Sequence, residues 1–285
     1  MDVAVVGAGR VGTALAVLLA RAGHRLVAVS GRDATRARTE KFLPGVTVIP
    51  AVEAVREAEL VLIGVPDDAI GEAATGIADA LRPEAHVAHL SGSAPLSELD
   101  AVALAGARVL SLHPLQTFPD VQAGIARLPQ SFVAVTASED DEYLLAEGLV
   151  GDIGARSFRV PDDRKPLYHA AAVFCSNYLT VTQRVAELLF TLAGVEDSVE
   201  MFEPLARSTL DNVFELGPAN ALTGPAARGD AGTIRRNLEA LSAEAPHSVP
   251  AYVELARAAV HLAAAEGTVT EEEMRNVEGV LAEWK

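Results

Sequence analysis

The chain has 285 residues, half of them hydrophobic, enough to bury a substantial core and to form two domains. Its formal net charge of −16 gives a field that repels phosphate backbones and argues against a nucleic-acid partner. A single cysteine, Cys175, excludes an intrachain disulfide framework and a cysteine-rich metal site, and its apolar surroundings assign it to core packing.

The first element is an apolar strand, residues 3–6, followed at once by Gly7-Ala8-Gly9-Arg10-Val11-Gly12 and an apolar helix. Strand, glycine turn and helix in this order form a dinucleotide clamp. Gly7 allows the tight turn, Gly9 lets the backbone approach a pyrophosphate, and Gly12 lets the helix sit close to the strand. The helix N-terminus offers unpaired N–H groups to the anion. The opening residues carry no basic leader and no cleavage pattern, and no run reaches the roughly 20 apolar residues of a membrane span, so a cytoplasmic protein without membrane contact is expected.

The second strand, 26–29, ends where an NAD site usually places an acidic residue for the ribose hydroxyls. This chain has Ser30-Gly31-Arg32 there, with Arg36 and Arg38 following, which suits a 2′-phosphate and predicts NADP. The competing reading makes Arg32 a solvated turn residue and gives Asp33 the acidic role.

Further apolar runs at 46–49, 60–65, 86–90, 109–112, 132–135 and 157–160 alternate with helical patterns, which predicts βαβ units and a mostly parallel, doubly wound sheet over residues 1–160. From 161 to 285 the periodicity is helical: one long amphipathic helix through Leu192, then helices over 200–216, 231–243 and 250–266, and a last one started by the capping box of Thr270 and Glu273. The second domain is therefore all-α, and its Ala-rich helices predict a homodimer.

Ligands of a doubly wound sheet sit beyond the carboxyl ends of its strands. Val65-Pro66-Asp67 fixes a loop beside the cofactor's ribose or serves as a turn and helix cap. Ser91 can bond a substrate carboxylate or the nicotinamide carboxamide, or simply suit a turn. His113, held extended by Pro114, can donate to a reacting carbonyl or imine, or be a structural histidine. At the start of the long helix the cation of Lys165 opposes the helix dipole, which lowers its pKa and improves it as a proton donor. Steps of four, three and four from Lys165 place His169, Ala172 and Ser176 on the same face, with Asn177 beside it. The loop 222–230, with Thr223 and Arg228, can close over a carboxylate.

The glycine clamp, the Val65-Pro66-Asp67-Asp68 and His113-Pro114-Leu115-Gln116-Thr117-Phe118 runs, the Tyr168-His169-Ala170-Ala171-Ala172 helix with Ser176-Asn177-Tyr178, and Thr223-Gly224-Pro225 together resemble Rossmann-like proteins with a C-terminal helical domain of unknown function. That organisation is similar to pyrroline-5-carboxylate reductase, ketopantoate reductase and the 6-phosphogluconate dehydrogenase-like enzymes. The resemblance implies hydride transfer from a nicotinamide to a small carboxylated ketone or imine, ketopantoate being the leading specific candidate. Lys165 matches a lysine that begins the long helix in ketopantoate reductase, where an asparagine stands four residues on; here that position is His169. His113-Pro114 is similar to a histidine-proline pair of prephenate dehydrogenase, which leaves an enzyme of that type as one alternative, and a non-catalytic NADP-binding sensor or assembly protein as another.

Overall fold

The computed structural model describes residues 1–284, in two compact units, Met1–Asn177 and a second that begins at Tyr178. In the first, β1 (Asp2–Val6), β2 (Arg25–Ser30), β3 (Leu60–Ile63), β4 (His86–His89), β5 (Arg108–Leu115), β6 (Phe132–Ala137) and β7 (Arg156–Arg159) form one sheet in the order β2-β1-β3-β4-β5-β6-β7. Every neighbouring pair is parallel except β5 with β6. The helices between strands are α1 (Arg10–Arg21), α2 (Asp33–Phe42), α3 (Ala51–Ala54), α4 (Ile70–Ile77), α5 (Asp100–Leu104), α6 (Val121–Arg127) and α7 (Asp140–Asp152). The chain steps outward from β1 to β2 and then back across β1 to β3, so the topological switch point lies between β1 and β3.

Helices cover both faces, which is why the central strands read as unbroken apolar runs rather than alternating ones. On one side Val3, Val5, Leu60 and Leu62 pack with Leu15 and Leu19 of α1, Ile125 of α6 and Leu149 of α7. On the other, Ala4, Val6, Val61 and Ile63 meet Ile70, Ala74 and Ile77 of α4 and Val102 of α5.

Two details differ from the pattern of apolar runs. Residues 46–49 form no strand: Val48 bridges Val29, with Thr47 O accepting from Val29 N and Ile49 N donating back at 3.0 Å each, but Gly45 at φ 89° and Pro50 confine the segment. β5 runs on to Leu115, so His113 lies inside it, paired with Ala134 of the antiparallel β6. β4 ends at His89 opposite Ser111; beyond that point β5 has a strand on one side only, and Pro114 costs it no ladder bond there.

The long amphipathic helix is divided: α8 (Lys165–Ala172), a π-helical turn (Val173–Tyr178) and α9 (Leu179–Leu192). A π turn inserts extra rotation, so the face shared by Lys165 and His169 is not carried at helical spacing through to Ser176. Cys175 lies in this turn and is exposed rather than part of the core, as are Phe174 and Tyr178 beside it.

The second unit contains α9, α10 (Ser198–Leu216), α11 (Pro218–Ala221), α12 (Ala231–Glu244), α13 (Val249–Ala265) and α14 (Glu271–Ala282). Ile234 and Leu238 of α12, Val253 and Val260 of α13, and Val277 and Leu281 of α14 form its core. Thr270 and Glu273 make the reciprocal capping box at the start of α14. On α9 and α10, by contrast, Phe190 stacks on Phe202 at 5.7 Å, while Met201, Leu205 and Phe214 stay exposed.

The glycine turn gives a stability test. Gly7 has φ 81°, and a Cβ there would sit 2.6 Å from Val65 Cγ1 and 2.9 Å from Val65 N. Gly7→Ala is expected to lower unfolding stability by about 2–4 kcal/mol, from the left-handed backbone plus the overpacked contact. At Gly9 a Cβ would meet nothing closer than Gly64 O at 3.7 Å. Gly9→Ala is therefore expected within about 0.5 kcal/mol of the parent in chemical denaturation.

Candidate active site

The carboxyl ends of β1 to β5 carry the polar groups, beginning at the switch point. Gly7 N and Ala8 N donate to Ser30 O at 2.8 and 3.2 Å, and Gly9 N donates to Gly7 O at 2.7 Å, so the end of β2 and the glycine turn are tied together. Gly64 follows β3, where a Cβ would lie 2.8 Å from Gly7 O; Gly12 brings α1 down onto Val5, 3.2 Å from its own would-be Cβ. Gly7, Gly12 and Gly64 are thus required by packing. Gly9 is not, and its open side lies where α1 begins with no side-chain cap and no acidic residue in its first turn. An uncapped helix start beside a glycine that the fold does not need fits a dinucleotide pyrophosphate, which the N–H groups of Arg10, Val11 and Gly12 could hold.

At the end of β2, Gly31 has a packing reason of its own: a Cβ would lie 2.2 Å from Oγ1 of the buried Thr35. Arg32 is exposed at the N-cap of α2, and Asp33 occupies the first turn, where the helix dipole favours it. Arg38 reaches back to donate to Ala8 O at 2.6 Å, and with Arg10, Lys41 and Gln122 it lines a cleft of about 560 Å³ alongside the glycine turn.

Past β4 the chain makes a tight polar turn. Ser91 Oγ donates to Asp67 Oδ2 at 2.6 Å and accepts from Ser93 N at 3.1 Å and Ala94 N at 2.9 Å, while Ser93 Oγ donates to the same Asp67 oxygen at 2.9 Å. The Ser91 hydroxyl is spent inside the turn. Its carbonyl does the outward work: Ser91 O accepts from Lys165 Nζ at 3.0 Å and from Ser111 Oγ at 3.2 Å. Lys165 Nζ also donates to Ser111 Oγ at 2.6 Å.

Lys165 is 2% exposed, and its pKa is brought down from 10.5 to about 8. Burial is the cause, with Asp162 and Asp67 pulling the other way. The sequence pointed to the helix dipole for the same direction of shift; desolvation supplies it. Asp162 is itself fixed by Leu96 N, which donates to its Oδ1 at 2.9 Å. Two of the three ammonium protons have partners among the described residues, which leaves one for a ligand.

Two histidines stand over the glycine of this turn. A Cβ at Gly92 would sit 2.7 Å from Cδ2 of His169 and 2.8 Å from Nε2 of His113. The rings meet edge to face with centroids 5.9 Å apart, and Nδ1 of His113 lies 2.7 Å from the Tyr168 hydroxyl. Burial, with the charges of His169 and Lys165, lowers the His113 pKa to about 4, so the ring is neutral at physiological pH.

Lys165, His113, His169 and the Ser91 turn are therefore brought together within the first unit. Asp67 holds the turn, and Val65 and Pro66 lead into it. Ser176 and Asn177 fall in the π turn, and the exposed Thr223 and Arg228 belong to the second unit. Sequence reasoning did not single out Ser111, Tyr168, Gly92 or His89. Ser111 lies two residues before His113 on one strand, hence on the same face, and Tyr168 lies one helical turn after Lys165; both spacings were readable. His89 is fully buried, its Nδ1 accepts from Ser91 N at 3.2 Å, and burial drives its pKa to about 3.

Comparison with known proteins places these features in a family context. Residues 1–114 match the model of a Rossmann-like domain, and residues 131–259 match that of a domain of unknown function, DUF2520. The first match covers β1 to β5 and the second runs from β6 into α13, and the fold is that of NAD(P)-dependent oxidoreductases. A Bacteroides fragilis protein described as a candidate NADP oxidoreductase is 25% identical, with TM-score 0.79 over 91% of this chain and 98% of that one. A Thermotoga maritima protein shares the fold at TM-score 0.70 and 22% identity over 93% of this chain and 99% of its own. A glycerol-3-phosphate dehydrogenase [NAD(P)+] of Ectopseudomonas mendocina is 29% identical over 55% of this chain and 50% of its own length. The chain spans about half the length of that curated relative, and less of the others it matches. Among the described residues no helix is long and apolar enough to cross a membrane.

The buried ammonium has a thermodynamic signature. Because the folded pKa of Lys165 lies below the unfolded value, the unfolded chain binds more protons between about pH 8 and 10.5, and stability rises with pH across that window; the cost of the buried charge is fully present below it. Thermal melts of the parent and Lys165→Met against pH should therefore diverge in the parent's favour from pH 8 upward. Parallel curves would mean that Lys165 titrates as an ordinary exposed lysine.

Proposed function

We propose that this protein is an NADP-dependent reductase that transfers a hydride to a small carboxylated ketone or imine. The observation that carries the proposal is the buried Lys165, held by the Ser91 carbonyl and the Ser111 hydroxyl at the carboxyl edge of a nucleotide-binding sheet, with one proton uncommitted. A lysine whose pKa is brought near 8 is matched to proton donation at physiological pH.

The Gly7–Gly12 turn and the start of α1 would hold the pyrophosphate, and Ser30, Gly31 and Arg32 would hold the 2′-phosphate, with the basic cleft of Arg10, Arg38 and Lys41 beside them. When bound, the reduced nicotinamide supplies the hydride. Lys165 gives its uncommitted proton to the oxygen or nitrogen that gains the electron pair, so that a carbonyl becomes an alcohol or an imine an amine. The neutral lysine left behind is the form that burial favours, and it regains its proton from solvent. The neutral His113 lines the same space as a donor toward the substrate's polar groups, with the His169 ring beside it. Ketopantoate-like and pyrroline-carboxylate-like compounds fit this chemistry, and the description of the Bacteroides fragilis relative as an NADP oxidoreductase supports the cofactor.

The exposed Met201, Leu205 and Phe214 on α10 are large apolar groups that a second copy of the chain would cover, which supports a homodimer through the helical domain.

NADPH oxidation followed by absorbance against a panel of 2-oxo acids, cyclic imines and prephenate-like acids tests the reading. Turnover of at least one carboxylated ketone or imine is expected, with tighter binding of NADPH than NADH. Arg32→Ala should weaken NADPH at least about tenfold with little effect on NADH, the loss of one charge-assisted contact. Thermal stabilisation by NADPH without oxidation by any member of the panel would point instead to a non-catalytic NADP-binding protein.

A further inference from the structure

His113 has two ring nitrogens with different surroundings. Nδ1 is 2.7 Å from the Tyr168 hydroxyl, while Nε2 lies on the ring edge over Gly92 and makes no hydrogen bond among the described residues. The phenol has one proton and, among the described residues, Nδ1 as its hydrogen-bond partner. Burial pushes the phenol up to about 12, so the proton stays on Tyr168; donating to Nδ1 gives that proton its one partner among the described residues, whereas accepting from an Nδ1–H would leave it with none there. A ring that accepts at Nδ1 must carry its own proton at Nε2.

We propose that Tyr168 is a positioning residue whose hydroxyl donates to Nδ1 of His113, fixing the neutral tautomer whose Nε2–H is presented over the Gly92 turn as a hydrogen-bond donor to the ligand. His113 then polarises a substrate oxygen or nitrogen without being a proton source, and proton delivery is left to Lys165. The neighbours support the uncharged ring. Lys165 and His169 both oppose a second proton on it, Asp67 alone favours one, and burial adds to the opposition. Tyr168 is held in turn by Phe158, whose ring meets it edge to face at 5.8 Å, and Phe158 packs likewise on Phe132 at 6.2 Å. The hydroxyl is thereby aimed by a row of aromatic rings rather than by a mobile side chain.

The donor role toward a substrate rests on the reductase reading, but the tautomer does not, so the test uses the full-length protein without substrate or cofactor. Long-range 15N–1H correlation spectra of the imidazoles, with the His113 signals assigned by their loss in His113→Gln, should show Nε2 protonated and Nδ1 bare in the wild type. This pattern should hold from about pH 8 down to about pH 5, well below the range where an ordinary histidine titrates. In Tyr168→Phe the two tautomers should mix and the Nδ1 and Nε2 shifts should move toward each other. A wild-type ring protonated at Nδ1, or a spectrum unchanged in Tyr168→Phe, would overturn the proposal; should the variant fail to fold, the wild-type spectrum decides alone. A failed substrate panel alongside an Nε2–H tautomer would overturn the reductase reading and leave this assignment standing.

Discussion

The contact between the Lys165 ammonium and the Ser91 carbonyl organises the site. It draws the first turn of α8 onto the end of β4, and through Ser111 it engages β5 as well, so three separate parts of the chain meet on one cation. A buried charge left without such partners would cost several kcal/mol, whereas hydrogen bonds to a charged group contribute about 1.5–3 kcal/mol each. The Ser91 turn must therefore keep its shape, and Asp67 keeps it by accepting from both Ser91 and Ser93. The same turn is closed above by the His113 and His169 rings, which occupy the volume that any side chain at position 92 would need.

The two halves of the chemistry follow from different physical devices on the same sheet edge. The glycine turn offers backbone N–H groups and a helix start, which bind anions without titrating. The Ser91–Lys165 cluster offers a group whose protonation is poised by burial, which suits it to the proton transfer proposed above. Their separation along the carboxyl edge matches the division of a dinucleotide into a phosphate part that is held and a ring part that reacts.

Much of this was legible in the sequence because the signals were local. The glycine turn, the capping box at Thr270 and the alternation of strands and helices each depend on residues within one or two turns of one another. The misreadings came from non-local effects. The 46–49 run is as apolar as a strand, but Gly45 and Pro50 limit its pairing to a single bridge. Cys175 sits among apolar residues, yet those residues face outward on a π turn, and periodicity does not say which face of a helix the rest of the chain will cover. Lys165 was noticed as a charge in the wrong place for the helix dipole; that its side chain is buried against Ser91 and Ser111, 74 and 54 residues away, only the folded chain shows. Tyr168 stood out only as part of the family-like run 168–172, with no role assigned, since its hydroxyl has meaning only beside a histidine that the sheet supplies.

The account stands on Lys165 as the proton donor, and the pH dependence of kcat/KM for NADPH-driven reduction tests it most directly. The parent should show a flat region that falls above an apparent pKa near 8, as the ammonium is lost. Lys165→Met should lower kcat by about 10²–10⁴-fold, the usual worth of a positioned proton donor, and should lack that alkaline limb. A Lys165→Met enzyme that keeps its rate within about threefold, or that keeps the limb, would contradict the assignment.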